Sequence, residues 1–221
     1  MLFVAMMLLF TFIANAQADV TKFLGIPIDG SKAEMIAKLK EKGFRMSDYN
    51  SNNDILEGEF NGFDVNVYIV TNKNKVCRIM ICDKNTQSGN NIKNRFNILC
   101  EQFKNNPNYI SSGEDYKIPI DENVEKEILI NKKKYEAIFY QIIDTKSDWF
   151  KSELEKYVSS IYTPDQLAKL SDDERRNLAL KVMSHFLCKK PVWFTISEFG
   201  SEYYITMYYD NEYNRANGED L

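Results

Sequence analysis

The sequence of 221 residues predicts an α+β fold, in which an antiparallel sheet is built from hairpins and helices pack on one face. Three observations lead to this prediction. Strand-like segments follow one another as sequential hairpins, capped amphipathic helices lie between them, and no strand–helix–strand crossover appears. The expected order is helix, four-strand meander, helix, hairpin, helices, hairpin. Because both halves combine helices with hairpins, the pattern also suggests two loosely similar α/β units that divide near 105–113.

The first predicted element is a secretory signal peptide over residues 1–18. An uncharged apolar run, Leu2–Ile13, precedes alternate alanines that end at Ala18, and this A-x-A spacing is typical of signal peptidase cleavage. The run is too short to span a bilayer as a helix. We therefore expect a single α+β domain over 19–221 that is periplasmic or secreted, with no stable membrane insertion after cleavage. The sequence has no cysteine near the cleavage point, so we do not expect a lipoprotein anchor.

The helices are predicted from N-caps and apolar spacing. Ser31 and Glu34 form a capping box for a first helix, which ends at Gly43. A second helix stops before Pro107, and helical spacing aligns its apolar residues Ile92, Phe96, Leu99, Cys100 and Phe103. Three further helices are expected to begin after Ser147, Thr163 and Ser171. The last is expected to bury Leu178, Ala179, Val182, Met183 and Phe186.

The strands are predicted from alternation and turn signals. Asn61-Gly62 indicates a hairpin between a strand over 54–60 and the alternating segment Phe63–Ile69. Val76–Cys82 is almost continuously apolar, as expected for a strand covered on both faces. Two further hairpins are predicted, Glu127–Ile130 with Tyr135–Ile143 and Val192–Phe199 with Glu202–Tyr209.

Charge and cysteine content exclude some functions and leave others open. Lys and Arg number 28 against 32 Asp and Glu, which gives a formal net charge of -4 and argues against nucleic acid as a partner. Cys77 and Cys82 lie five apart on one predicted strand, so strict alternation puts them on opposite faces, too far apart to bridge. Disulfides to Cys100 or Cys188 remain alternatives to four free thiols.

Sequence motifs for catalysis are absent. The chain has no G-x-S-x-G, S-x-x-K, H-E-x-x-H or C-x-x-C, and its one histidine is His185. His185 lies three residues before Cys188 near the end of the last predicted helix. The favoured interpretation is a histidine stabilised by the helix dipole beside a buried cysteine, rather than a Cys–His dyad. We expect no catalytic residue and no cofactor.

One loop has the spacing of a calcium site. Segment 48–59 matches much of an EF-hand loop, with Asn53 where glycine is expected and strands where helices are expected. The favoured alternative is a polar hairpin loop. The candidate ligands are Asp48, Asn50, Asn52, Asp54 and Glu59.

The candidate binding site lies on the last hairpin. Alternation puts Tyr204, Tyr208 and Asp210 on one face of its second strand, with Trp193 on the first strand. Rings that stack and carboxylates that accept hydrogen bonds favour a sugar- or peptide-binding face, although tyrosine is also simply a good strand former. We expect an exported module that binds an unknown protein or glycan. The alternatives are a glycan- or peptide-directed hydrolase using Asp/Glu groups, and a calcium-stabilised structural domain.

The two ends of the mature chain carry a resemblance. The segment Phe23–Gly30 reads Phe-Leu-Gly-Ile-Pro-Ile-Asp-Gly and leads into the capped helix and Lys42-Gly43-Phe44, and the chain closes on Tyr208–Leu221. Together these segments resemble a group of exported proteins of unknown function from gut Bacteroidales bacteria. The resemblance covers the mature chain and implies a Gram-negative envelope location. It implies no catalytic residues.

Overall fold

The computed structural model describes residues 18–48, 55–113 and 115–216. Within these ranges the helices are α1 (Lys32–Glu41), α2 (Gly89–Asn105), α3 (Val124–Leu129), α4 (Asp148–Ser159), α5 (Pro164–Ala168) and α6 (Asp172–Leu187). The strands are β1 (Lys22–Phe23), β2 (Ile26–Pro27), β3 (Arg45–Met46), β4 (Ile55–Phe60), β5 (Phe63–Asn72), β6 (Lys75–Asp83), β7 (Tyr109–Ser111), β8 (Glu136–Gln141), β9 (Pro191–Phe199) and β10 (Glu202–Asp210). The predicted signal peptide falls on residues outside these ranges, except for Ala18.

Eight strands form one antiparallel sheet in the order β3-β4-β5-β6-β10-β9-β8-β7, and β1 and β2 form a separate two-stranded sheet. The predicted α+β fold with an antiparallel sheet is therefore confirmed. The two halves of the large sheet meet where β10 pairs with β6. The division of the chain into two loosely similar units near 105–113 stays a prediction.

The chain divides into two compact units. The smaller unit contains Asp144–Lys169, with α4 and α5, and it also includes the described residues Ala18 and Asp19. Within it, the backbone N–H of Asp144 donates to the carboxylate of Asp19 at 2.8 Å. The larger unit consists of Val20–Ile143 and Leu170–Leu221. It contains the whole sheet and all the features of the candidate site.

The core of the larger unit lies on what we call the first face of the sheet, against α1 and α2. A row of buried side chains crosses this face from β5 to β8: Val67, Ile81, Met207, Phe194 and Ala137. Leu39 of α1 and Phe96 of α2 belong to the same cluster, and the rings of Phe96 and Phe194 lie 5.0 Å apart. Burying one large apolar side chain stabilises the fold by roughly 1.5–3 kcal/mol, so this layer supplies the main driving force for folding.

The predicted caps and hairpin turn are present. Ser31, Thr163 and Ser171 each form a full capping box, and the Ser147 hydroxyl accepts a hydrogen bond from the backbone N–H of Phe150. Asn61-Gly62 has φ values of 54° and 79°, the left-handed conformations that a tight two-residue turn requires. Helix positions were therefore readable from short-range signals.

The predicted strand Glu127–Ile130 is wrong, because this segment lies almost entirely in α3. The Asn123 side chain accepts a hydrogen bond from the backbone N–H of Lys126 and so caps a helix. Val124 and Ile128, one helical turn apart, are both buried. Without this strand, β8 pairs with β7 on one side and with β9 on the other.

Strand β6 and helix α6 differ from the predictions in detail. The side chains of β6 that face away from the core are only half-buried, so this strand is not fully covered on both faces. A β-bulge opposite Val70 and Thr71 interrupts its alternation, and Val76 and Ile79 are both buried although three apart. The argument that separated Cys77 from Cys82 by strict alternation therefore does not hold. In α6, Val182 and Phe186 are buried as predicted, whereas Ala179 is exposed.

Candidate functional site

The candidate site lies on the second face of the sheet, which points away from the core described above. Four side chains line up across β5, β6, β10 and β9, because the strand register pairs Tyr68 with Met80, Met80 with Tyr208, and Tyr208 with Trp193. We call them the aromatic row, and all four are half-buried. Tyr204, also half-buried, lies on the same face of β10 opposite Ser197. With Asp210, two residues after Tyr208 on β10, all four predicted site residues share this face.

Trp193 and Tyr208 form a stacked pair at the centre of the aromatic row. Their ring centroids are 3.9 Å apart and their planes differ by 15°. The guanidinium carbon of Arg78 lies 4.8 Å from the Tyr208 ring and 5.6 Å from the Trp193 ring, within the range of cation–π attraction. Aromatic pairs of this kind contribute about 0.5–1.5 kcal/mol beyond area burial, so both rings are held in one orientation.

Asp210 connects Arg78 and Trp193 by hydrogen bonds. Its carboxylate accepts hydrogen bonds from Nε of Arg78 at 2.5 Å, from Nη2 of Arg78 at 2.8 Å and from Nε1 of Trp193 at 3.0 Å. The side chain of Asp210 is 3% exposed and that of Arg78 is 25% exposed. The sequence suggested Asp210 as an acceptor for a ligand. In the structure both carboxylate oxygens accept from the protein itself, so Asp210 acts as a positioning residue.

Burial raises the pKa of Tyr208, and the neighbouring Cys82 acts in the same direction. The pKa of Tyr68 is raised for the same reasons. The hydrogen bond to Asp210 raises the pKa of Arg78. At neutral pH these two tyrosines therefore present neutral phenol hydroxyls beside the charged guanidinium of Arg78.

Sequence reasoning missed Arg78, Tyr68 and Met80. A signal for Arg78 was present, because a single arginine inside the apolar run Val76–Cys82 needs a partner for its charge. Its partner is 132 residues further along the chain, and the pairing of β6 with β10 that joins them is not readable from local pattern.

The closing segment ties the two ends of the larger unit together. The buried side chain of Asn211 donates to the carbonyl oxygen of Ile28 at 2.6 Å. The Asn214 side chain donates to the Asp29 carboxylate at 2.9 Å and to the carbonyl oxygen of Val76 at 2.8 Å. We call these contacts of Asn211 and Asn214 the terminal latch. The segment around Ile28 and Asp29 is thus in direct contact with Asn211 and Asn214.

The candidate calcium ligands fall largely outside the described residues. Asn50, Asn52 and Asp54 lie there, whereas Asp48 and Glu59 are described and exposed, with Glu59 paired to Asp64 in the β4–β5 hairpin. Where the structure is described, no three His, Cys, Asp or Glu residues come together in a group that could hold a metal. Calcium binding by this loop stays a prediction from the sequence.

Buried and paired groups elsewhere have structural explanations. Burial raises the pKa of Asp83, although the Arg95 guanidinium bonded to it at 3.3 Å opposes the rise. Both side chains are 4% exposed, so this carboxyl reaches no substrate. The prediction that Cys188 is buried is wrong: it is exposed, and its thiol lies 3.9 Å from the Ser184 hydroxyl. Burial lowers the pKa of His185, as does the nearby charge of Lys189. The four cysteines, Cys77, Cys82, Cys100 and Cys188, are all free.

Comparison with known proteins adds no further assignment. No protein-family model, curated protein or solved structure matches this chain. Over the described ranges, no helix combines the length and apolar character needed to cross a bilayer. What defines the protein is therefore its fold and site: an α+β chain with an eight-stranded antiparallel sheet, whose second face carries a fixed aromatic cluster.

Proposed function

We propose that this chain is an exported, non-catalytic binding module that holds a protein partner against the second face of its sheet. The observation that carries the proposal is the stacked Trp193–Tyr208 pair, fixed by Asp210 and Arg78 in the middle of the aromatic row. Trp, Tyr and Arg are the side chains that most often dominate the energetics of protein interfaces.

Rigidity favours binding at this face. The rings of Trp193 and Tyr208 are already stacked, and the Arg78 side chain is held at two nitrogens by Asp210. Little side-chain entropy is therefore lost when a partner docks, and this preorganisation strengthens binding. Among the described residues, no group accepts a hydrogen bond from Nη1 of Arg78, so this nitrogen is available to a carbonyl or carboxylate of the partner.

The location belongs to the same proposal. The apolar segment Leu2–Ile13 and the alanines up to Ala18 support a cleaved signal peptide. We infer that the mature chain acts in the periplasm or outside the cell, where it meets its partner. The family resemblance supports a Gram-negative envelope.

An affinity capture tests this function. Tagged 19–221 is incubated with envelope extract and culture supernatant of the host, and bound proteins are identified by mass spectrometry. The double variant Tyr204→Ala, Tyr208→Ala is compared with Ile98→Ser, which changes a side chain 51% exposed on α2, the helix that packs against the first face. We expect a stoichiometric partner that the double variant loses and the control retains. Melting curves establish that all three proteins are folded.

Two results would contradict the proposal. A partner that is retained by the folded double variant binds elsewhere on the molecule. Capture of no protein, combined with a positive glycan array, identifies a carbohydrate ligand instead, since aromatic rings stack on sugars as well as on protein side chains.

A further inference from the structure

The larger unit contains a cavity of about 120 Å³ between the C-terminal half of α2, the loop that follows β7, and β8. It lies on neither the aromatic row nor the terminal latch, and no feature of the proposed function uses it. Its deepest lining residues are Cys100 of α2 and Phe139 of β8, which are both buried. The side chains of Lys104, Asp115 and Lys117 line it from exposed positions and form its rim.

The inner part of the cavity is apolar. The rings of Tyr116 and Phe139 meet edge to face at 5.7 Å. Burial raises the pKa of the Cys100 thiol to about 12, so the thiol stays protonated and behaves as a small apolar group. A cavity of ~150 Å³ lined by apolar side chains accommodates benzene. The space here is somewhat smaller, which suits a branched aliphatic side chain better than an aromatic ring.

The rim carries charges of both signs. No hydrogen bond or ion pair engages the Lys104 ammonium within the described part of the chain. One oxygen of Asp115 accepts the backbone N–H of Lys117 at 3.3 Å, and among the described residues no group donates to its second oxygen. The Lys117 ammonium is paired with Glu101. An available ammonium and an available carboxylate oxygen thus lie at the mouth of one apolar cavity.

We propose that this cavity binds a small aliphatic amino acid as its zwitterion. The Lys104 ammonium takes the ligand carboxylate, the Asp115 carboxylate takes the ligand ammonium, and the side chain of the ligand enters the space between Cys100 and Phe139. A ligand with only one charge makes only one of these two contacts at the rim.

The test is a titration of the full mature chain with L-leucine, followed by isothermal calorimetry and by NMR shifts of the Tyr116 region. Two further probes each lack one charge, 4-methylpentanoate without the ammonium and 3-methylbutylamine without the carboxylate. Lys104→Gln and Asp115→Asn are compared with the control Lys40→Gln, an exposed lysine of α1. All three substitutions are on the surface and are expected to leave the fold intact.

We expect leucine to bind and both single-charge probes to bind at least about tenfold more weakly, as the loss of one charge-assisted hydrogen bond predicts. Lys104→Gln and Asp115→Asn lower leucine affinity by a similar factor, and Lys40→Gln does not. The proposal is overturned if leucine does not bind at about 10 mM, if the three probes bind equally, or if the rim variants bind like the control. None of these three results concerns the second face of the sheet, so failure of this proposal leaves the proposed function intact.

Discussion

At the scale of single residues, Asp210 has the largest effect on the candidate site. It is buried on the central strand β10, and it fixes Arg78 from β6 and Trp193 from β9 by three hydrogen bonds. Its backbone carbonyl also accepts from the Thr21 hydroxyl. One side chain therefore sets the positions of an arginine and an indole that a partner would contact, without contacting the partner itself.

We expect Asp210→Asn to destabilise the protein by about 2–3 kcal/mol, because it removes the charge that compensates the partly buried Arg78. Urea unfolding followed by circular dichroism measures the change. The matched control is Glu212→Gln, which breaks the exposed pair with Arg215 and is expected to cost less than about 1 kcal/mol. Equal effects of the two substitutions would show that the buried pair contributes no more than a surface pair.

A second residue-scale prediction concerns acid. Hydrogen bonds from Lys133, and then from Tyr135, lower the pKa of Glu122. A carboxyl with a depressed folded-state pKa stabilises the fold above its unfolded-state value, and this contribution is lost as pH falls through the folded-state value. Glu122→Gln should thus be less stable than the wild type at pH 7, and the difference should be smaller at about pH 3.

Urea unfolding of both proteins at the two pH values measures this difference. Lys132→Gln serves as the control, because it changes a neighbouring charge without removing a carboxyl. A stability gap between wild type and Glu122→Gln that is unchanged by acid would contradict the role assigned to this carboxylate.

The candidate site was predictable only in part. Alternation along one strand was enough to put Tyr204, Tyr208 and Asp210 together, and the hairpin turn brought in Trp193. Arg78 and Tyr68 reach the same face from β6 and β5, through the β6–β10 pairing. That pairing joins residues far apart in the chain, and no local sequence pattern predicts it.

At the scale of elements, short-range signals identified most helices and hairpins correctly. The capping boxes and Asn61-Gly62 act within four residues, so the sequence alone reveals them. The strand predicted over Glu127–Ile130 is wrong because this segment is ambiguous by itself. Four apolar or charged residues before a lysine-rich turn fit a strand as well as a helix. The helix depends on Asn123 as its N-cap and on the burial of Val124 and Ile128.

Gly58 on β4 provides an element-scale prediction. A Cβ added there would lie 2.6 Å from Cδ1 of Phe44, which is itself buried. We expect Gly58→Ala to cost about 1–3 kcal/mol, since overpacking forces a core ring to move. Thermal and urea unfolding measure this loss of stability. The control is Glu59→Ala, which changes an exposed neighbour on the same strand and should have a free energy of unfolding within about 0.5 kcal/mol of the wild type. Wild-type stability of Gly58→Ala would mean that Phe44 relaxes freely.

The terminal latch provides a second prediction at the scale of elements. Asn214→Ala removes the hydrogen bonds to Asp29 and Val76 and leaves their acceptors unpaired. We expect a loss of about 1–3 kcal/mol, together with faster amide exchange around β1 and β2, which the latch holds in place. Arg215→Ala, at the exposed next position, should change neither measurement. Unchanged exchange in Asn214→Ala would show that other contacts hold this segment.

At the scale of the whole molecule, the fold is independent of disulfides. Cys77, Cys82, Cys100 and Cys188 are free, and the eight-stranded sheet carries a large apolar core of its own. We expect a reductant to leave the melting temperature unchanged and denatured protein to titrate as four thiols without reduction. A melting temperature that falls by several degrees on reduction would demonstrate a stabilising bridge.

The central position of β10 has a consequence for how the chain folds. β10 inserts between β6 and β9, and its Asp210 meets Arg78 across 132 residues of sequence. Without β10, strands β6 and β9 would each present an open hydrogen-bonding edge. Contacts between residues so far apart in sequence form slowly, so we expect the joining of the two halves of the sheet to be a late step in folding.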